Sequence, residues 1–225
     1  MEQYQQLFGL IEQYLIPDQY GKSTICSLYL DTPDFRLIRA SIDAKTYKEK
    51  LRLRSYGTPR DDSKVFLEIK KKFKGVVYKR RVSMTLAESM AYIRNGRKPF
   101  DSQIMREIDY AMYLYENPQP AALIAYEREA FYVKDLPTVR VTFDTRVRYR
   151  LEDPSPAFGS EGIEIIPRDR ILMEIKTSGG MPLWLSAALD TCCIYPTSFS
   201  KYGTAYRAFC VNIPKLQPKG GLVYV

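Results

Sequence analysis

Tyr47-Lys48-Glu49-Lys50-Leu51-Arg52-Leu53-Arg54-Ser55-Tyr56 decides how the chain is to be read. Successive side chains of a strand point to opposite faces, so Lys48, Lys50, Arg52 and Arg54 share one face and Leu51 and Leu53 the other. Gly57 and a polar turn through Pro59 and Asp61-Asp62 end the run. Lys64 to Lys72 repeats the scheme, with Glu68, Lys70 and Lys72 against Val65, Leu67 and Ile69. Val76 to Met84 follows across Gly75, which predicts a hairpin and sets Lys79 and Arg81 on one face.

Working outward, Ile25 to Leu30, Ala122 to Tyr132, Thr138 to Arg150 and Ile171 to Thr177 are expected strands. Leu7, Leu10, Ile11 and Tyr14 recur at helical spacing in Glu2 to Ile16, and Pro17 ends that pattern. Leu86 to Arg94, Asp101 to Tyr115, Pro182 to Leu189 and Ser200 to Val211 are further expected helices, the second N-capped by Asp101 or Ser102. Asp153 to Asp169 reads as a loop or weak hairpin. The expected class is α+β: a mostly antiparallel sheet in one domain, residues 1–213, with an extended tail over 214–225.

Length and composition set the limits. With 225 residues, 45% of them hydrophobic, the chain can bury a sizeable core. A net charge of +8 calls for an anionic partner: nucleic acid, a phospholipid surface or a polyphosphate. Histidine is absent, which removes Ser-His-Asp triads, Cys-His pairs and His-based metal sites. Any metal must be bound through oxygen. The four cysteines form no C-x-x-C pair, so a reduced, cytoplasmic protein without structural zinc is expected. No apolar run reaches ~20 residues and no signal peptide is visible at the start.

Alternation puts eleven cations on the polar strand faces: Lys48, Lys50, Arg52, Arg54, Lys70, Lys72, Lys79, Arg81, Arg128, Arg140 and Lys176. Three carboxylates, Glu68, Asp144 and Glu174, accompany them. One charged face is ordinary for an antiparallel sheet, but a solvated face usually mixes signs. Two like charges ~6 Å apart repel by about 3 kcal/mol at an effective dielectric of ~20, so a bound anion is expected to offset them. Glu-Ile-Lys occurs twice, at Glu68-Ile69-Lys70 and Glu174-Ile175-Lys176, setting a carboxylate beside an ammonium. That spacing suits a hard cation next to a phosphate, and equally a cross-strand ion pair.

Rival motifs are weaker. Gly21-Lys22-Ser23 looks like the end of a P-loop, but position 16 is Ile and a strand follows. The 18 tyrosines fit core positions better than a nucleic-acid stacking platform, so no nucleic acid is expected. Trp184 reads as a packing anchor and Cys192-Cys193 as structural.

Ser27-Leu28-Tyr29-Leu30-Asp31-Thr32-Pro33, the Tyr47–Gly57 stretch, Phe66-Leu67-Glu68-Ile69-Lys70-Lys71-Lys72 and Val77-Tyr78-Lys79-Arg80-Arg81 together resemble the VTC domain. Ala125-Tyr126-Glu127-Arg128, Arg140-Val141-Thr142-Phe143-Asp144-Thr145, Leu172-Met173-Glu174-Ile175-Lys176 and Ser198-Phe199-Ser200-Lys201-Tyr202-Gly203 extend the likeness in order to Tyr206. That family comprises the polyphosphate polymerase domains of the vacuolar transporter chaperone complex and their bacterial relatives, within the CYTH-like triphosphate tunnel metalloenzymes. The resemblance implies a closed tunnel of about eight antiparallel strands with helices outside. It implies transfer of the ATP γ-phosphoryl onto inorganic polyphosphate, resting on alignment and charge neutralisation.

The implied catalytic set is Arg52, Arg54, Lys70, Arg128 and Arg140. Lys48, Lys50, Lys72, Lys79, Arg81, Tyr126, Lys176, Ser200 and Lys201 would bind phosphate, and Glu174 with Glu68 would hold Mn²⁺ or Mg²⁺. Two departures stand out. Relatives begin with a strand reading roughly Arg-x-Glu-x-Lys-Tyr, where this chain starts in or beside its first helix, so that strand is expected to be missing. Ser198 stands where some relatives carry a basic residue. A triphosphate hydrolase and a non-catalytic polyphosphate-binding module are the alternatives, and a membrane-protein partner and a homo-oligomer stay open.

Overall fold

In the computed structural model, residues 2–44 and 46–212 are described, without the side chains of residues 211 and 212. The expected tail over 214–225 lies outside them.

One antiparallel sheet organises the molecule. Its strands are β1 (Leu15–Pro17), β2 (Ser23–Asp31), β3 (Tyr47–Tyr56), β4 (Lys64–Phe73), β5 (Val76–Thr85), β6 (Gln119–Val133), β7 (Leu136–Arg150), β8 (Ile163–Glu164) and β9 (Leu172–Lys176). The order is β5-β4-β3-β2-β6-β7-β8, with β1 added to β6 and β9 to β7. The β4–β5 hairpin turns on Lys74 and Gly75, both at positive φ (45° and 87°), the pairing a tight two-residue turn demands. Its register sets Lys70 opposite Lys79 and Glu68 opposite Arg81, and the β3–β4 register sets Arg52 opposite Glu68.

The sheet is not closed. Among the described residues β5 pairs only with β4, and β9 only with β7, so the expected closed tunnel is an open, curved sheet. The strand run at β9 is five residues long and gives way to Gly179-Gly180-Met181-Pro182, which leads into a helix.

Helices complete the two sides: α1 (Glu2–Ile11), α2 (Arg36–Asp43), α3 (Leu86–Asn95), α4 (Gln103–Leu114), α5 (Leu183–Thr191) and α6 (Lys201–Asn212). Behind β2–β5, Leu51, Leu53, Val65, Leu67 and Ile69 meet Tyr92 and Ile93 of α3 and Met105, Ile108 and Met112 of α4. Each such side chain contributes about 1.5–3 kcal/mol by leaving water. A capping box between Thr85 and Glu88 starts α3, and Ser102, rather than Asp101, caps α4 by accepting the Met105 N–H. A second core joins α1 and α5 to β7, through Leu7, Ile11, Val141, Phe143 and Leu185.

The third core lies on the opposite, concave side, where Tyr202, Ala205 and Phe209 of α6 pack on Ile25, Tyr29, Ile124 and Tyr149. The Asp31 carboxylate accepts the Leu37 and Ile38 N–H groups (2.8 and 3.0 Å) and the Tyr202 hydroxyl (3.0 Å). One buried side chain thus starts α2 and pins α6 across the sheet. The helix expected over Glu2 to Ile16 stops at Ile11, because Leu15, Ile16 and Pro17 pair with Val133, Tyr132 and Phe131 of β6.

Candidate anion-binding active site

The concave face left free by α6 encloses a cavity of about 470 Å³. Three strands build one wall: Lys48, Lys50, Arg52 and Arg54 from β3, Lys70 and Lys72 from β4, Lys79 from β5. The alternation of charged and apolar residues is the local cause, since the same strands spend their other face on the core. Tyr126 and Arg128 of β6 and Glu174 and Lys176 of β9 build the facing wall, and Ser200 and Lys201 enter from the head of α6. Ten cationic side chains therefore line the cavity against one carboxylate, Glu174.

Two buried carboxylates, Glu68 and Asp144, hold these cations in place. The Glu68 carboxylate takes the Arg52 guanidinium at 2.7–2.8 Å and the Lys79 ammonium at 3.2 Å. Asp144 takes Arg128 through both carboxylate oxygens (2.6 and 2.8 Å) and Lys201 at 2.7 Å. Burial pushes the Glu68 carboxyl up, but Arg52, Arg54 and Lys79 outweigh it and its pKa is lowered. Lys50 and Lys79 are shifted down, chiefly by burial. Lys50 donates to the Ser200 hydroxyl at 2.9 Å, and that same oxygen accepts the Gly203 N–H and so caps α6. Tyr126 offers its ring to two cations, Arg128 at 5.2 Å and Lys201 at 4.4 Å.

Most of the residues anticipated from the sequence converge here, and three do not. Glu68 lies beneath the wall, engaged by Arg52 and Lys79, and presents no oxygen to the cavity lining. Arg140 is turned to Asp18 at 2.7 Å and to the Tyr132 ring at 5.3 Å. Arg81 extends the charged face past the cavity, over the Phe66 ring at 4.8 Å. Ser27, Tyr29, Ser41, Thr197 and Phe199 line the cavity without having been anticipated as site residues. For Ser27 and Tyr29 the signal was present: they alternate with Leu28 and Leu30 in a strand that reads as uniformly core.

Among the described residues no group of three or more His, Cys, Asp or Glu side chains could hold a metal ion. Glu174 is half-exposed, and its carboxyl is pushed up by burial yet held below the ordinary value by Lys176, Arg128 and Lys201. The ammonium of Lys176 lies 3.5 Å away and the Arg128 guanidinium 3.6 Å. A Mg²⁺ or Mn²⁺ ion fits this donor set only in company with phosphate oxygens, which would complete its shell and draw off the two cations.

The sequence model of the family described as VTC domain matches residues 1–210. Among solved structures, a candidate adenylate cyclase of Bacillus halodurans superposes with a TM-score of 0.53 at 12% identity, covering 88% of either chain. A candidate adenylyl cyclase from Hippeastrum with a dominant triphosphatase activity gives 0.52 at 13% identity, covering 92% of this chain and 90% of its own. At such identities the likeness speaks for the fold alone. No curated protein matches the chain.

Proposed function

Because the chain belongs to the VTC-domain family, we propose that it is a phosphoryltransferase that extends inorganic polyphosphate at the expense of ATP. The observation that carries this reading is the set of ten cations facing a single carboxylate across one cavity. A polyphosphate chain is the ligand that supplies negative charge at every unit along such a track. Arg52, Arg54, Lys70 and Arg128 would embrace the transferring phosphoryl group, while Lys48, Lys50, Lys72, Lys79, Lys176, Ser200 and Lys201 hold the flanking phosphates. In the step itself the terminal oxygen of the polymer bonds to the γ-phosphorus. The bond from that phosphorus to the β-bridging oxygen breaks, and ADP departs with the electron pair. Fixed guanidinium groups neutralise the charge spread over the phosphoryl oxygens and need no reorganisation when it develops. Glu174 would hold a divalent ion against the phosphates, and the ion supplies further charge neutralisation there.

Hydrolysis of a triphosphate is the second reading, favoured by the triphosphatase activity of the Hippeastrum neighbour and by an open sheet that admits water. Incubation with ATP and Mn²⁺ separates the two: ADP with acid-labile polymer supports the polymerase, orthophosphate alone the hydrolase. Tight polyphosphate binding without turnover would make the domain a binding module. Glu174→Gln is expected to abolish metal-dependent turnover and to leave polyphosphate binding largely intact, and surviving activity would remove Glu174 as metal ligand.

A further inference from the structure

Tyr29 faces the cavity from β2, while Leu28 and Leu30 on either side enter the core behind the sheet. Its ring stacks on Tyr202 of α6, with centroids 4.3 Å apart and planes 20° from parallel. Tyr202 is itself tied to Asp31, so the stack is anchored from behind. The Tyr29 oxygen accepts a hydrogen bond from Arg52 Nη1 at 3.3 Å. A guanidinium has no acceptor to give back, so the phenol's own proton is not aimed at Arg52. Among the described residues it is donated to no acceptor, although the side chain is buried. An O–H of this kind, held rigid among Lys50, Arg52 and Arg54, is a donor prepared for an anion.

We propose that Tyr29 is a further phosphate-contacting residue, whose protonated hydroxyl donates to a non-bridging oxygen of the triphosphate held by Lys50 and Arg52. The inference rests on the reading of the cavity as a phosphate site and adds a proton to it. Burial pushes the phenol up, but Arg52, Lys50 and Arg54 outweigh it and bring the pKa down to about 8. The groups that face Tyr29 are those three cations from β3 and the neutral Tyr202 from α6, with Asp31 beyond it. Its cross-strand neighbour on β6, Ala122, brings no charge. Above pH 8 the empty cavity therefore carries a phenolate where the phosphate is to sit. Binding must then return a proton to Tyr29. Above pH 8, Arg52 and Lys50 thus face the phenolate when the ligand is gone and the ligand when it is present.

Calorimetric titration with inorganic tripolyphosphate tests this for the wild-type chain, Tyr29→Phe and the double variant Arg52→Ala, Arg54→Ala. Phenylalanine preserves the stack on Tyr202. Wild-type affinity is expected to hold up to pH 8 and then to fall by about tenfold per pH unit. Proton uptake should show as a binding heat that depends on the buffer, and the phenolate absorbance should fall on ligand addition. Tyr29→Phe should bind about tenfold more weakly at pH 7 and lose both signatures. Any fall with pH that it retains belongs to Lys50 and Lys79, which burial brings down. Wild-type binding that Tyr29→Phe reproduces in affinity and pH profile overturns this inference alone. Absence of wild-type binding at pH 7, or full binding by the double variant, overturns the phosphate site and the inference with it.

Discussion

Glu68 and Asp144 hold the same office on opposite walls of the cavity, and they differ in what they tie together. Each is a buried carboxylate gripping one arginine and one lysine. The partners of Glu68, Arg52 and Lys79, lie on the strands flanking its own, so that cluster stays within the sheet. Asp144 takes Arg128 from the neighbouring strand and Lys201 from the first turn of α6, so it joins the sheet to a helix. The Glu68 cluster fixes how two side chains are aimed. The Asp144 cluster also fixes whether the cavity has its end wall.

The largest effect is expected at Asp144. Asp144→Asn leaves Arg128 and Lys201 buried against a neutral partner, and the expected loss is about 3–5 kcal/mol, or about 10 °C in melting temperature for a domain of this size. Hydrogen exchange should quicken along α6, and tripolyphosphate affinity should fall with it. Protected α6 amides in this variant would mean that the Tyr202–Asp31 contact suffices to dock the helix.

Glu68→Gln comes next in size. Lys79 is 42% exposed and can turn to water, so the expected loss is about 1–3 kcal/mol, with α6 protection unchanged and binding weakened through a misdirected Arg52. An α6 that loosens equally here would abolish the distinction between the two walls.

The smallest effect depends on pH. The Glu68 carboxyl is lowered from its ordinary 4.5, so its contribution to stability is present above that value and lost as pH falls through the folded-state value. Thermal melts of Glu68→Gln should show a flatter acid limb than wild type below about pH 4.5. Glu174→Gln should change that limb less, because Glu174 is half-exposed and water screens its partners. Identical limbs in Glu68→Gln and wild type would place the acid-labile interaction elsewhere.

The three basic strands were legible nearly to the residue, since a period-two pattern of charge and aliphatic side chains survives any tertiary arrangement that keeps one face dry. What was not legible depends on distant partners. Arg140 shares the phase of the other cations but is taken by Asp18, more than a hundred residues away in sequence. Glu68 has the spacing of a metal ligand, and only the pairing of β3, β4 and β5 shows that two cations close over it. Helix α2 was missed because Asp31-Thr32-Pro33-Asp34 reads as a stop. Asp31 and Thr32 in fact supply the acceptors for its first N–H groups, across Phe35 in a left-handed conformation.

Among the described residues β5 is paired on one side only, and its other edge bears on how copies of the chain meet one another. An unpaired strand is a template for a second one, and crowded solutions turn such edges into aggregates. Lys79, Arg80 and Arg81 fall in the middle of this edge. Antiparallel pairing of two copies centred there would set Lys79 of each against Arg81 of the other, like charge against like. Like charge along this edge thus opposes its pairing with a second copy, and acidic polymers that shield it would weaken that opposition.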